Sequence, residues 1–424
     1  MRPATCKALA ACLVALPALA VSACGGSGSS ATAANAATGA NKTVAIYSSL
    51  PLRGPSAAEA IPLENGIELA LSQADDRAGS FTVDYTSLDD STDPGGWDPS
   101  ETAANARRAA ADPRTVFYIG EFDDEASEVS MPILNEAGIP QVSPANTYVG
   151  LTATTAGGSA QGIPYAPTGT RTYLRIVPTD AIQAAADLYA MKQARCGRVV
   201  LAEDGEEYGE SLAKLVESER REYGIDLVGG SALDPDAPSF PSTVVAGGEK
   251  MRPGCVLLMG IPSNATVEMT EDINAVLPSA RIFAPGTMCT SAWTNRSDGG
   301  VPASIDPLIQ CTDVTLSLSA YPGGKAFEDA YKAKYGVSNP GPYAILGYEA
   351  MSLGLSTIAS LGPNGDSKSA VLRALFSTTD RHSVLGTYGF AHSGDTTLRT
   401  YGLYRVGKNG DPAFVRTITP PHVS

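Results

Sequence analysis

TVFYIGEFDDEASEVSMPILNEAGIPQVSPANT, residues 115–147, is the stretch whose pattern decides the fold. Its apolar run over residues 115–119 is short enough for a strand and stops at Gly120. A helical pattern follows over residues 125–136, and a second short run closes the unit at residues 140–143. Strand, helix and strand joined by tight turns imply a right-handed βαβ crossover and two parallel strands buried on both faces.

The same unit repeats outward in both directions. Towards the amino terminus lie a strand at residues 43–49, a helix around 63–74, a strand at 82–88 and a helix at 100–111. Leu63, Ile67, Ala70, Leu71 and Ala74 fall on one face of the first helix. From Tyr173 a second series begins, with a strand at 173–176, a helix at 180–194, a strand at 199–203 and a helix at 207–223. Strands at 255–259 and 281–284 continue it. Helices at 323–335 and 343–359 follow, then a hairpin-like pair, 386–390 with 399–406, around Ser393, Gly394 and Asp395. The predicted class is α/β, with two doubly wound parallel-sheet lobes. No Pro- or Gly-rich linker separates the lobes, which implies a multi-strand hinge. The expected division is residues 43–173 with 321–399 for lobe 1, and 174–320 with 400–418 for lobe 2.

The 424 residues carry a formal charge of -15. A polyanion would be repelled and no basic stripe offsets this, so nucleic acid is excluded as a partner. Arg2 and Lys7 precede an apolar run over residues 8–21 that ends Val21-Ser22-Ala23-Cys24, which reads as a signal peptide over residues 1–23. Small residues leading into a cysteine resemble the lipobox of bacterial lipoproteins, with Cys24 as the lipidation site and the protein held at the outer face of the cell membrane. The alternative is an ordinary signal peptide with Cys24 incidental. Residues 24–42 are rich in Gly, Ser, Ala, Thr and Asn and read as a flexible tether.

Of the seven cysteines, Cys6 and Cys12 leave with the leader and Cys24 is assigned to lipid. Cys196, Cys255, Cys289 and Cys311 remain, an even number suited to two disulfides in an oxidising compartment. Three pairings are open. Cys196 and Cys255 each stand just before a strand-like run, so neighbouring strands favour Cys196 with Cys255 and Cys289 with Cys311.

Catalytic signatures are missing: there is no GxSxG, HExxH, phosphate loop or dinucleotide fingerprint, and the three histidines sit in turn-like or terminal contexts. Asp89, Asp90, Asp93, Asp98 and Glu101 suggest a calcium loop, but the sixth position is Pro94 and the twelfth Ser100. That stretch reads as a solvated loop with a helix N-cap at Ser100. The chain is expected not to be an enzyme and to need no cofactor or metal.

Several stretches, taken in order, resemble the type-I periplasmic solute-binding proteins of the branched-chain amino acid and amide ABC importers. Residues 49–55 with Asn65-Gly66-Ile67 resemble the family's first loop and helix. Ile119-Gly120-Glu121-Phe122, residues 132–140 and Ser143-Pro144-Ala145-Asn146-Thr147 resemble its most recognisable block. Residues 175–180, and Glu203-Asp204 leading to Tyr208-Gly209, occupy the family's crossing into lobe 2 and its cleft loop. The resemblance implies a monomer that closes two lobes on a small-molecule solute and presents it to an ABC permease. It also implies solute contacts from Asn146, Thr147, Tyr208 and Tyr343. A lipid-anchored sensor domain regulating a membrane partner is the alternative.

The departures bear on the solute. Where aliphatic amino acid binders carry small hydroxyl residues, this chain has Asp123, Asp124 and Glu125, and a carboxylate at the N-cap would occupy the helix amides and repel an anion. The acid expected after the strand at 281–284 is replaced by Pro285-Gly286-Thr287. Glu203, Asp204, Glu206 and Glu207 face from the other lobe. Two readings stay open: an acidic cleft mouth, with Asp124 and Glu125 meeting a cationic or neutral polar solute, or acids that cap helices and face water.

Overall fold

β1 (Thr43–Leu50) is buried at every position after its first, because it is the middle of a covered sheet. In this computed structural model residues 42–92, 95–153, 165–232 and 253–421 are described. The leader, Cys24 and the tether lie outside them. After α1 (Ala57–Gln73), the short β2 (Arg77–Ala78) pairs antiparallel with β3 (Phe81–Asp89). β4 (Ser91–Thr92) and β5 (Gly96–Trp97) make a small hairpin, followed by α2 (Pro99–Ala111), β6 (Thr115–Ile119), α3 (Asp124–Glu136), β7 (Gln141–Ser143) and β8 (Tyr173–Arg175). The first sheet runs β2-β3-β1-β6-β7-β8, parallel apart from β2. β1 lies between β3 and β6, with Ser49 opposite Leu88 and Ser48 opposite Ile119, so their carboxyl ends share one edge.

The second sheet runs β10-β9-β11-β12-β13 and ends on two strands from the carboxyl-terminal part of the chain, residues 401–406 and 412–418. α4 (Asp180–Gln193) leads into β9 (Arg198–Glu203), α5 (Glu207–Glu219), β10 (Asp226–Ala232), β11 (Cys255–Met259), α6 (Asn264–Val276), β12 (Arg281–Ala284) and β13 (Ile309–Asp313). Alternation decides the layers: Val199 and Leu201 pack with Leu212 and Val216 of α5, whereas Val200 and Ala202 pack with Ile273 and Trp293 on the opposite face. The chain then returns to the first lobe through α7 (Gly324–Tyr335), α8 (Ala344–Ser360) and α9 (Lys368–Phe376), whose Phe327, Ile345, Met351 and Val371 join Val44, Ile46 and Phe117 in one core. α1 and α8 touch backbone to backbone. A Cβ on Gly66 would collide with the Ala344 carbonyl, and one on Gly347 with that of Leu63.

Several expectations need correction. The strand at Tyr173 does not open the second series: β8 pairs with β7 at the edge of the first sheet, so a boundary between 173 and 174 would cut it. Residues 386–390 do not pair with 399–406. Instead β14 (Arg381–Ser383) pairs with β15 (Gly386–Tyr388), and β16 (Tyr401–Val406) crosses over to pair with β13 and with β17 (Pro412–Ile418). The turn between them is held to the first lobe, where Arg175 N donates to Gly394 O (3.1 Å) and Arg175 Nε to Asp395 Oδ1 (2.7 Å). The second sheet is therefore mixed at β16 and β17, which a short hairpin can only join antiparallel. The cap of α2 is Asp98, not Ser100. Its carboxylate accepts Ser100 N and Glu101 N, with Pro99 filling the first helical position. Asp90 is not solvated either, being 0% exposed. The helix from Glu207 ends at Glu219 and tightens into a 3-10 turn, stopped by left-handed Gly224.

Both expected disulfides form. Cys196 joins Cys255 with Cα atoms 5.8 Å apart, and Cys289 joins Cys311 at 5.5 Å. No described helix is long and apolar enough to cross a membrane.

Candidate ligand-binding site

The loops at the carboxyl ends of β6 and β9 face one another across the two sheets. Between them is a cavity of about 50 Å³ lined by Asp124, Glu125, Glu128 and Tyr148 from the first lobe and Glu207, Tyr208 and Ser211 from the second. None of the seven is a cation. A larger cavity of about 280 Å³ lies where the chain crosses between the sheets, among Ile176, Val177, Val314, Leu316, Leu346 and Leu398. We place the site in the smaller one, because strand ends and helix amino termini converge there, as they do at ligand crevices of open α/β sheets.

Each wall is built locally. Gly120 has a φ of 147°, and behind it Asn146 Nδ2 donates to Phe122 O (2.9 Å). Asn146 Oδ1 accepts the Ser127 hydroxyl (2.5 Å) and that of Tyr173 (3.0 Å). Asn146 is 1% exposed, so its amide positions the loop from behind instead of facing the cavity. Asp124 Oδ1 accepts Tyr148 N (3.1 Å), and the fully buried Arg175 donates to Tyr148 O (2.8 Å), Asn146 O (3.3 Å) and Thr152 Oγ1 (2.6 Å). The Arg175 guanidinium is thereby engaged on the far side of this wall, with Asp395 as counter-ion. Thr147 O accepts Asp180 N (2.9 Å), and the Thr147 side chain hydrogen-bonds the Asp180 carboxyl.

Asp123 is the N-cap of α3, yet its side chain accepts no hydrogen bond from the first turn. The expectation that an acid would occupy those amides is not met, and only the repulsion of anions remains. Burial, then the fields of Asp90, Glu125 and Glu59, push Asp123 up to about 7. Burial and, second, Asp180 hold Asp124 well above the usual carboxylate range, and burial raises Asp180 too.

On the opposite side Asp204 is 6% exposed, accepting Glu206 N (3.1 Å) and Ile261 N (2.8 Å), so it fixes two loops and is not part of the mouth. Of the four acids expected there, Glu207 lines the cavity. No acid directly follows β12, but Asp313, at the end of the neighbouring β13, lies against Gly286. Burial pushes Asp313 up to about 6, and burial followed by Asp313 pushes Glu59 up to about 7. Tyr343 packs edge-on against Phe122 with centroids 5.1 Å apart. Burial first, and then Glu59, Asp313 and Tyr208 among other groups, raise its phenol; neither Tyr343 nor Thr147 is among the seven residues that line the cavity.

Asp124, Glu125 and Tyr208 are thus brought together. Glu128 and Ser211, each a helical turn beyond a chosen residue, were readable from the 3.6-residue period, and Tyr148 is the next residue after Thr147. Glu59 and Asp313 carry no such signal.

Two α/β lobes with an acidic crevice between them and multiple chain crossings make a hinged binding protein. A family model described as periplasmic binding protein matches residues 43–411, and the chain belongs to that family, whose members bind solutes and are not enzymes. The Leu/Ile/Val-binding protein BraC3 of Rhizobium johnstonii is 24% identical over 369 residues, 86% of this chain and 92% of the relative. The leucine-binding protein LivK of Thermotoga maritima is 22% identical with a TM-score of 0.64, over 89% of this chain and 99% of that one. A solute-binding protein of R. palustris, solved with 4-hydroxybenzoate, is 16% identical with a TM-score of 0.69, over 90% of this chain and 98% of that one.

Proposed function

We propose that this protein is the solute-binding component of an ABC importer, tethered outside the cell membrane by lipid on Cys24, and that it captures a small cationic or neutral polar solute between its lobes as a monomer. The observation that carries this reading is the interlobe cavity, lined by four acids and two tyrosines with no cation. An incoming carboxylate meets Asp123, Asp124 and Glu125 at the place where a helix amino terminus would otherwise attract it. A cation meets uncompensated, partly buried acids whose ionisation it favours.

At about 50 Å³ the cavity is far below the ~300–1,000 Å³ of ordinary ligand pockets, so the lobes must part for a solute to enter. Solute contact with both walls then favours closure by its differential affinity, and the permease reads the closed form. A lipid on Cys24 raises the local concentration of the binder at the membrane.

The test is a thermal-shift screen of residues 41–424 against cationic amino acids, polyamines, betaines, amides, leucine and aromatic acids, since a bound solute raises the melting temperature by mass action. Cationic or neutral polar hits that Asp124→Arg weakens support the reading. Hits confined to leucine-like carboxylates, or hits indifferent to Asp124→Arg, contradict it. Globomycin-sensitive processing and loss of membrane retention in Cys24→Ala test the anchor.

A further inference from the structure

Two carboxyl groups meet at the end of β1 with no cation between them. Asp90 follows β3 and Glu121 follows β6, the two strands that flank β1, and both are 0% exposed. Their backbones are fixed independently: Asp90 N donates to Leu50 O (3.1 Å), Asp98 N to Asp90 O (2.7 Å), and Ser143 Oγ to Glu121 O (2.9 Å). Tyr118 Oη donates to Glu121 Oε1 at 2.9 Å. Glu121 Oε2 and both carboxylate oxygens of Asp90 find no donor among the described residues. Yet the two side chains stand within hydrogen-bonding reach of one another.

Two buried carboxylates in contact repel strongly in a medium of low polarity, whereas one proton turns the contact into a short charge-assisted hydrogen bond. Among the described residues, the Tyr118 and Ser49 hydroxyls favour an ionised Glu121, and no cation reaches the pair. Beside the pair, β3 contributes Asp89, whose counter-ion is Arg53 (2.5 Å). β6 contributes the Tyr118 phenol, β1 the Ser49 hydroxyl facing Glu121, and α2 the Asn105 amide, which donates to Ser49 Oγ (3.1 Å). α3 contributes Asp123, another acid, and Ser127, whose hydroxyl accepts Glu121 N (3.3 Å).

We propose that Asp90 and Glu121 hold one proton between them, and that this bond is a positioning device tying the loop after β3 to Glu121 and hence to Phe122, Asp123 and Asp124. Its consequence for solute capture rests on reading residues 122–125 as a solute wall; the shared proton does not. The carboxyl pair is raised by burial and by mutual repulsion, so the folded state holds this proton more tightly than the unfolded chain. The stability it confers is full below the ordinary carboxylate range and is lost as pH rises through the raised value. When the proton leaves to solvent, two anions remain in contact and the wall must shift or admit water.

The test compares the wild-type protein with Asp90→Asn, whose amide N–H donates to the Glu121 carboxylate at every pH. Two readouts are taken without solute between pH 5 and 9: melting temperature, and the exchange protection of backbone amides 122–126 after correction for intrinsic rates. Wild type is expected to lose both as pH rises, at least tenfold in protection, and Asp90→Asn at least threefold less, what remains being the ionisation of Asp123 and Asp124. A variant that follows the wild-type profile overturns the proposal, as does one that already lacks protection at pH 5. Should Asp90→Asn fail to fold, carboxyl carbon titration of the wild type decides: one proton lost well above the usual range upholds the pair, and two ordinary titrations overturn it. A solute screen that finds no binding refutes the proposed function and leaves these readouts untouched.

Discussion

The β6–α3 loop of the first lobe and the β9–α5 loop of the second face one another across the crevice, and each places an acid between a strand end and a helix start. In the second lobe Asp204 is fully provided for: it accepts two backbone N–H groups, and Gly209 and Gly260 leave its carboxylate the space it fills. In the first lobe Glu121 meets another acid, and one oxygen of Asp123 is buried without a partner. The same residue type between a strand end and a helix start is a brace in one lobe and lacks donors in the other. Counting donors, not locating acids, separates the two roles.

That contrast can be broken or sharpened by experiment, beginning with the largest effect. Both disulfides lie in the second lobe, so it is braced covalently where the first is not. The Cys196–Cys255 bond closes 59 residues; replacing both cysteines by serine is expected to lower unfolding free energy by ~4 kcal/mol, read by denaturant titration. Asp204→Ala strands two half-buried N–H groups and should cost about 2 kcal/mol, measured the same way. Asp123→Asn should change stability in the opposite direction. Its folded-state value of about 7 exceeds the unfolded one, so wild type loses stability as pH rises through about 7. The variant should match wild type near pH 4 and exceed it by roughly 1–2 kcal/mol at pH 8.5, allowing for solvent screening. A loss at pH 8.5 would mean that Asp123 is a brace like Asp204. The smallest effect is Glu207→Gln on the exposed rim, expected to weaken a cationic solute about two- to fivefold by calorimetry and more so at low salt.

The sheets were legible because strands buried on both faces read as unbroken apolar runs, and β6, β11 and β12 end where the residues said they would. Pairing partners were not. Residues 386–388 look the same whether they pair with 381–383 or with 401–406, and nothing in the sequence of β8 says which sheet it joins. The site divides along the same line. Asp124, Glu125 and Tyr208 follow strand ends and were readable, whereas Asp313 and Glu59 enter through tertiary packing. Asn146 and Asp204 were chosen by position and are turned to structure by their hydrogen bonds.

On the proposed function, the cleft selects against carboxylates by acids that no cation offsets among the seven lining residues. Calorimetric titration of putrescine, L-arginine and L-leucine at pH 6, 7 and 8, in buffers of differing ionisation enthalpy, tests it most directly. The account predicts binding of a cation that strengthens with pH and releases protons, because Asp123 and Glu59, raised to about 7, ionise as the ligand enters. Tight binding of L-leucine with no proton release, and none of either cation, would contradict it.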